Sequence, residues 1–169
     1  FQRLDATGMA LIAETRVTNN SSTSCNADID TDENGNSRIV WQEGQNIVFC
    51  VLDSQGNKTV ATTTLSSGNC SNPTIAVNPD GISHVVWEKL VITLYRVYFC
   101  RVDAAGNKIG SDVVVSNRDI IGIVPKSPDI SLDIDGNSHI VWRDYYNFQS
   151  GLYYCRLDSS GAISTNFKI

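Results

Sequence analysis

Three oxygen-bearing side chains, Asp30, Asp32 and Asn34, stand at alternate positions ahead of Gly35 in the run Asp30-Thr-Asp-Glu-Asn-Gly35. Such spacing lets carboxylate and amide oxygens converge on a hard cation while the glycine turns the chain, so the run matches the opening of a calcium loop. A carboxylate is wanted where that loop closes, and Arg38 and Trp41 stand there instead. The related runs keep only Asn78 with Asp80 and Asp133 with Asp135. These departures weigh against calcium and toward a hairpin turn, which needs Asp, Asn and Gly for its own sake. Calcium is the one cofactor the chain suggests, and no Gly-Lys-Ser/Thr follows a glycine loop to cradle phosphate.

Glycoside hydrolysis needs two carboxyl groups astride one bond. Glu43, Glu88 and Asp144 each follow closely on a tryptophan and are the candidates, although recurrence at related places suits a structural role as well. Arg143, Asp144, Tyr145, Tyr146 and Phe148 crowd one segment. Aromatic faces beside polar hooks suit sugars and protein side chains, and they equally suit the covering of a neighbouring sheet. His84 and His139, the only histidines, align with Arg38. That equivalence predicts a repeated contact between sheets rather than a metal site or a general base.

These residues are carried by a repeat. Asp32-Glu-Asn-Gly-Asn-Ser-Arg-Ile-Val-Trp41 recurs as Asn78-Pro-Asp-Gly-Ile-Ser-His-Val-Val-Trp87 and as Asp133-Ile-Asp-Gly-Asn-Ser-His-Ile-Val-Trp142. A second motif follows each copy: Phe49-Cys-Val-Leu-Asp-Ser-Gln-Gly56, Phe99-Cys-Arg-Val-Asp-Ala-Ala-Gly106 and Tyr154-Cys-Arg-Leu-Asp-Ser-Ser-Gly161. A further copy of it, Phe1-Gln-Arg-Leu-Asp-Ala-Thr-Gly8, opens the chain. Each repeat reads as four short strands, A to D, rich in β-branched and aromatic residues. Asp-x-x-Gly turns join C to D, and glycine turns at 35, 81 and 136 join A to B. Residues 9–18 have helical propensity, but alignment with the other copies makes them a D strand.

Four-stranded units recurring about every 50 residues predict an all-β fold, a β-propeller of four-stranded antiparallel blades. Residues 1–18 would be the outer strands of an incomplete blade, and 24–66, 70–116 and 127–169 three whole ones. About three and a half blades do not fill a ring. A chain that opens on Phe1 in mid-blade is expected to be part of a longer protein, or to be completed by blades from neighbouring chains. In such a ring the B–C segments 42–46, 88–96 and 143–151 would be loops around the axial opening, where binding concentrates.

The blade motif resembles secreted bacterial and archaeal β-propeller repeat proteins with Asp-x-x-Gly-x-x-His-[Ile/Val]-Val-Trp blades and, more loosely, sialidase-like propellers. The likeness covers nearly the whole chain and concerns architecture. The sialidase Asp-box, Ser-x-Asp-x-Gly-x-Thr-Trp, is absent. Fold-level resemblance does not license an activity. The repeated blade, the five cysteines and the lack of a convergent catalytic set point instead to an extracellular or cell-surface, non-enzymatic module that binds protein or glycan or builds an assembly. A secreted glycoside hydrolase of sialidase-like fold is the alternative.

Composition agrees. The 169 residues carry 13 Lys and Arg against 18 Asp and Glu, a net charge of -5, and 41% are hydrophobic. The acidic balance without a basic cluster argues against nucleic acid. No apolar run approaches the roughly 20 residues of a membrane helix. Five cysteines suggest an oxidising compartment. Cys50, Cys100 and Cys155 share one strand-C position, and Cys25 and Cys70 precede strand A. Pairing Cys25 with Cys50 and Cys70 with Cys100 would staple two blades and leave Cys155, whereas pairing Cys50 with Cys70 would leave three thiols.

Overall fold

The structure, a computed structural model, describes residues 1–116, 122, 124–146 and 149–169. No helix occurs among them, and strands follow one another in chain order. β1 (Arg3–Leu4) and β2 (Ala10–Ile12) form a two-stranded sheet. β3 (Ser24–Thr31), β4 (Ser37–Glu43), β5 (Asn46–Leu52) and β6 (Lys58–Ser66) form the first whole blade. β7 (Cys70–Val77), β8 (Ser83–Val91), β9 (Leu94–Val102) and β10 (Lys108–Val114) form the second. β11 (Val124–Leu132), β12 (Ser138–Tyr146), β13 (Gln149–Leu157) and β14 (Ile163–Lys168) form the third. Pairing is antiparallel between consecutive strands throughout. The fold is an open arc of a β-propeller, with half a blade at its start.

Turn chemistry makes the hairpins. At the first C–D turn Gly56 donates to the Asp53 carbonyl, and the Asp53 side chain accepts from the backbone of Gln55 and Asn57, each at 2.8 Å. The same arrangement recurs at Asp5, Asp103 and Asp158. Carboxylates that accept several N–H bonds are favoured as anions. The Asn57 side chain and backbone thus hold the Asp53 carboxyl below its usual range. Gly106 has a φ of +87°, and a Cβ there would lie 2.4 Å from Val60 of the preceding blade. Its missing side chain serves both the turn and the nesting of one blade on the next.

The expected B–C loops are shorter than the sequence suggested. β8 runs to Val91 and β9 begins at Leu94, so most of 88–96 is ladder. Arg143, Asp144 and Tyr145 likewise belong to β12, which Tyr146 ends, and Phe148 lies outside the described residues. Charged and aromatic side chains disguise a hairpin that extends past the blade core, because such strands have no apolar alternation to read.

β3, β7 and β11 lie innermost, side by side. Asp28 accepts from the Ile75 backbone at 2.9 Å and Asp30 from that of Val77 at 2.7 Å, which ties one inner strand to the next. Further out, Arg101 donates to the Ser159 carbonyl at 2.7 Å, and Arg3 of the half-blade makes the equivalent bond to Ser54 at 2.9 Å. The half-blade is thus tied to the first blade by the same outer bond that joins the second blade to the third. Apolar layers fill the interfaces. Val40, Phe49 and Leu65 meet Ile75, Val85 and Trp87, and the next layer joins Val86 and Phe99 to Ile130, Ile140 and Trp142. Runs such as Ile39-Val40-Trp41 are buried on both faces, as a sheet between two sheets requires.

His84 confirms the inter-sheet contact expected of it. It is buried, its Nδ1 lies 2.8 Å from Ser138 Oγ of the third blade, and its ring meets Phe99 edge-on. Burial, and then the charge of Arg101, push its pKa down to about 4 from 6.5. The unfolded chain protonates first, so this stabilisation is complete above pH 6.5 and is lost as pH falls from there toward 4. The loss is on the order of 3 kcal/mol. Denaturant titrations at pH 7.5 and 4.5 will show it, and His84→Gln will remove most of the difference. An unchanged pH slope in that variant would refute the assignment. His139, at the open end of the arc, turns to its own blade, with Nε2 3.1 Å from Asp133 and Nδ1 2.7 Å from the Tyr154 hydroxyl.

Candidate functional site

Each inner strand breaks register once near its start. Cys25 faces Gln42, yet Asp28 faces Val40. Ser71 faces Glu88, yet Thr74 faces Val86. Lys126 faces Arg143, yet Asp129 faces Val141. The bulged residues Asn26, Asn72 and Ser127 adopt left-handed φ values of 51°, 50° and 53°. Asn tolerates that region because its short amide bonds locally, and Pro73 and Pro128 follow where the ladder is already interrupted. Bulges re-aim side chains. Here the three meet beside the axis and, with Asp28 and Thr74, line a cleft of about 350 Å³.

Polar bonds run from station to station around this cleft. The Asn26 amide donates to Gln42 at 3.1 Å and to Asn72 at 2.8 Å. Asn72 in turn donates to Glu88 at 2.8 Å. Glu88 also accepts from the Ser127 backbone and from Lys126, each at 2.7 Å, and Lys126 sits 4.7 Å from the Tyr95 ring centre. The stations differ from blade to blade, Gln42, Glu88 and Arg143, on an otherwise repeated frame. Amides and hydroxyls at the mouth of a polar cleft can exchange hydrogen bonds with a neutral, hydroxyl-rich ligand.

The carboxylates singled out in the sequence are not gathered at one bond. Glu88 is fully buried and serves as a clamp between blades. Glu43 accepts from Asn20 at 2.6 Å and from the Trp41 indole at 3.4 Å. Asp144 is buried and accepts from the Trp142 indole at 3.0 Å. Register shows that Glu88 is equivalent to Gln42 and Arg143, whereas Glu43 is equivalent to Lys89 and Asp144. Strand alternation leaves Arg143 and Tyr145 exposed on either side of Asp144. Arg143 stands opposite Lys126, one residue before Ser127 of the cleft, and Tyr145 stands opposite Val124, two residues further along the strand. Sequence reasoning passed over the bulged residues, although Asn72-Pro73 and Ser127-Pro128 are chain-turning dipeptides just ahead of strand A.

Asp30, Asp32 and Asn34 are not brought together, and no group of three or more Asp, Glu, His or Cys side chains among the described residues could hold a metal. Asp30 is spent on Val77 of the next blade. Asp32 accepts from the backbone of Asn34 and Asn36, from the Asn36 amide, and from Arg38 at 3.1 Å. Burial raises the Asp32 pKa, but those donors outweigh it and leave the carboxyl below its usual range. The Asp32 bonds to Asn34 and Asn36 are those of a hairpin turn.

The disulfide scheme is corrected. All five cysteines are free thiols. Cys25 lies opposite Gln42 and Cys50 opposite Ile39, on strands with β4 between them. That places them about 10 Å apart along the strands and about 10 Å across. Cys70, opposite Lys89, and Cys100, opposite Val85, are further apart still along the strands. A disulfide requires Cα atoms within about 7 Å. Burial pushes Cys50 and Cys155 up to about 11 and Cys100 up to about 12, so they are packing residues and not nucleophiles.

No protein-family model and no curated protein matches the chain. Among solved structures it is similar to the crystal structure of an endo-arabinase from Bacteroides thetaiotaomicron VPI-5482, with a TM-score of 0.56 and 12% identity. The match covers 85% of this chain and 59% of that one. At that identity the likeness bears on the fold alone, and it agrees with the all-β propeller class.

Proposed function

We propose that the protein is an extracellular β-propeller module that binds a neutral glycan at the axial cleft without cleaving it. The observation that carries this reading is the bulge-lined cleft, ringed by Asn26, Asn72 and Ser127 on the inner strands, with Arg143 opposite Lys126 beside it and Tyr145 exposed two residues further along β12. Bonded amides present a fixed pattern of donors and acceptors, and an exposed tyrosine supplies the flat face that sugar rings stack on. The name of the structurally similar endo-arabinase makes arabinan fragments a convenient first probe, while the ligand class itself is argued from the cleft. Placement outside the cell rests on the blade-motif resemblance; the unpaired thiols lend it nothing.

Tyr145→Ala and Arg143→Ala change exposed side chains, so stability will stay within about 0.5 kcal/mol of the parent. Glycan affinity in calorimetric titration with arabinan fragments and other neutral oligosaccharides will fall about tenfold. Retained affinity in both variants would refute this site. The second reading is a glycoside hydrolase, for which Asp28 is the carboxylate that lines the cleft. Release of reducing ends from arabinan, abolished by Asp28→Asn in the cleft, would establish it over the binding module.

A further inference from the structure

We propose that the tip of the β8–β9 hairpin inserts into the headgroup region of a membrane that carries anionic lipids. The hairpin belongs to the middle whole blade, which packs against a blade on each side. Register sets its length against that of its equivalent. The first blade closes its β4–β5 hairpin at Glu43, opposite Asn46, and Glu43 is equivalent to Lys89, which stands opposite Arg96. The second blade adds two more rungs, Leu90 opposite Tyr95 and Val91 opposite Leu94, before Ile92 and Thr93 turn the chain. Thr93 alone among residues 90–95 is neither aliphatic nor aromatic. Alternation puts Leu90 and Tyr95 on one face of the ribbon and Val91 and Leu94 on the other, so both faces of the tip are apolar.

The fold gives up stability to keep this tip. Ile92 has a left-handed φ of +59°, a strained backbone for a β-branched residue, and it is 92% exposed. At the same turn position the first blade has Gly44, with a φ of 60° and none of that strain. One rung behind the tip, Lys89 and Arg96 stand directly opposite each other, and like charges so placed repel. On the other face Lys126, which also binds Glu88, lies 4.7 Å from the centre of the Tyr95 ring. Cations therefore collar the tip on both faces, in a chain whose net charge is -5. The hairpin's single carboxylate, Glu88, is fully buried. An exposed apolar tip backed by tyrosine and basic side chains is the pattern of an interfacial anchor, and the collar complements anionic headgroups. Two rungs and a turn reach about 7–10 Å past the basic rung, the depth of such an insertion. A flat protein surface could cover only one face of this ribbon, whereas lipid surrounds both.

Vesicle flotation tests this. The whole protein will float with vesicles of phosphatidylcholine containing about one-third phosphatidylglycerol, and will bind phosphatidylcholine alone about tenfold more weakly. Raised salt will release it from the anionic vesicles. Ile92→Gly removes the anchoring side chain and the strain together. It will lower vesicle affinity about tenfold while its urea midpoint rises, so the lost binding is not lost folding. Ile92→Trp adds a tryptophan at the tip of a chain in which Trp41, Trp87 and Trp142 are all buried. Brominated lipid will quench the emission of that variant and leave the parent's unchanged. Failure to bind the anionic vesicles would overturn the proposal, as would equal binding by Ile92→Gly or an unquenched Ile92→Trp. Self-association without vesicles, abolished by Ile92→Gly, would overturn it too and assign the tip to a second copy. None of these measurements touches the axial cleft, so this proposal and the glycan reading can fail separately.

Discussion

Replacing Glu88 by Ala will cost the fold about 2–4 kcal/mol, because it takes away the one acceptor shared by several donors at a buried position. The carboxylate has no solvent exposure and joins three elements. It accepts from Asn72 and Ser71 on β7, and from Lys126 and the Ser127 backbone on β11. Truncation strands the Ser127 N–H at a bulge that already holds a left-handed φ. The Lys126 ammonium, with a side chain 33% exposed, can turn to water, so most of the penalty comes from the other donors. Glu88→Gln keeps an acceptor for Ser127 but sets an amide against Lys126, and it will cost about 1–2 kcal/mol. Urea unfolding of the two variants checks the order. A loss below 1 kcal/mol for Glu88→Ala would mean that Glu88 is no clamp and would reopen its reading as a reactive carboxylate.

Trp87→Ala will be about as damaging, at about 4 kcal/mol, and Trp41→Ala will cost about 1.5 kcal/mol less. Both rings are almost fully buried at equivalent positions. Trp87 is sealed between the first two whole blades, stacked on Tyr98 with centroids 5.8 Å apart. Its removal leaves a closed cavity, and the lost contacts add to the lost transfer energy. Trp41 borders the groove beside the half-blade. Truncation there opens the space to water and largely avoids the cavity penalty. Matched denaturant titrations of the two variants measure the difference. Equal losses would mean that the space beside Trp41 is as closed to water as that around Trp87.

Much of the architecture was legible before any tertiary contact was known. Asp-x-x-Gly and Asp/Asn-x-x-Gly turns are written in consecutive residues, and they fold locally because the Asp side chain bonds the amides two and four residues on. The blade motifs repeat for the same reason, since each blade solves the same burial problem. That regularity placed residues 9–18 as a strand against their helical propensity, and β2 is there. It also predicted the inter-sheet role of His84.

Other features depend on how separate strands and sheets meet. A bulge advances the inner strand relative to its partner, so Glu88 stands opposite Ser71 while Val86 stands opposite Thr74, an offset not written in the spacing of the chain. Asp30 and Asp32 look alike in the chain, but stacking hands one to the next blade's backbone and the other to Arg38. Cysteine pairing failed as a sequence inference because the ladder offset between strands A and C is not encoded in spacing. The sequence by itself determined strands, turns and blades, whose physics is local. Only the tertiary structure decided which carboxylate is a clamp and which bulges meet at a cleft, because each of those depends on the stacking of one sheet against another.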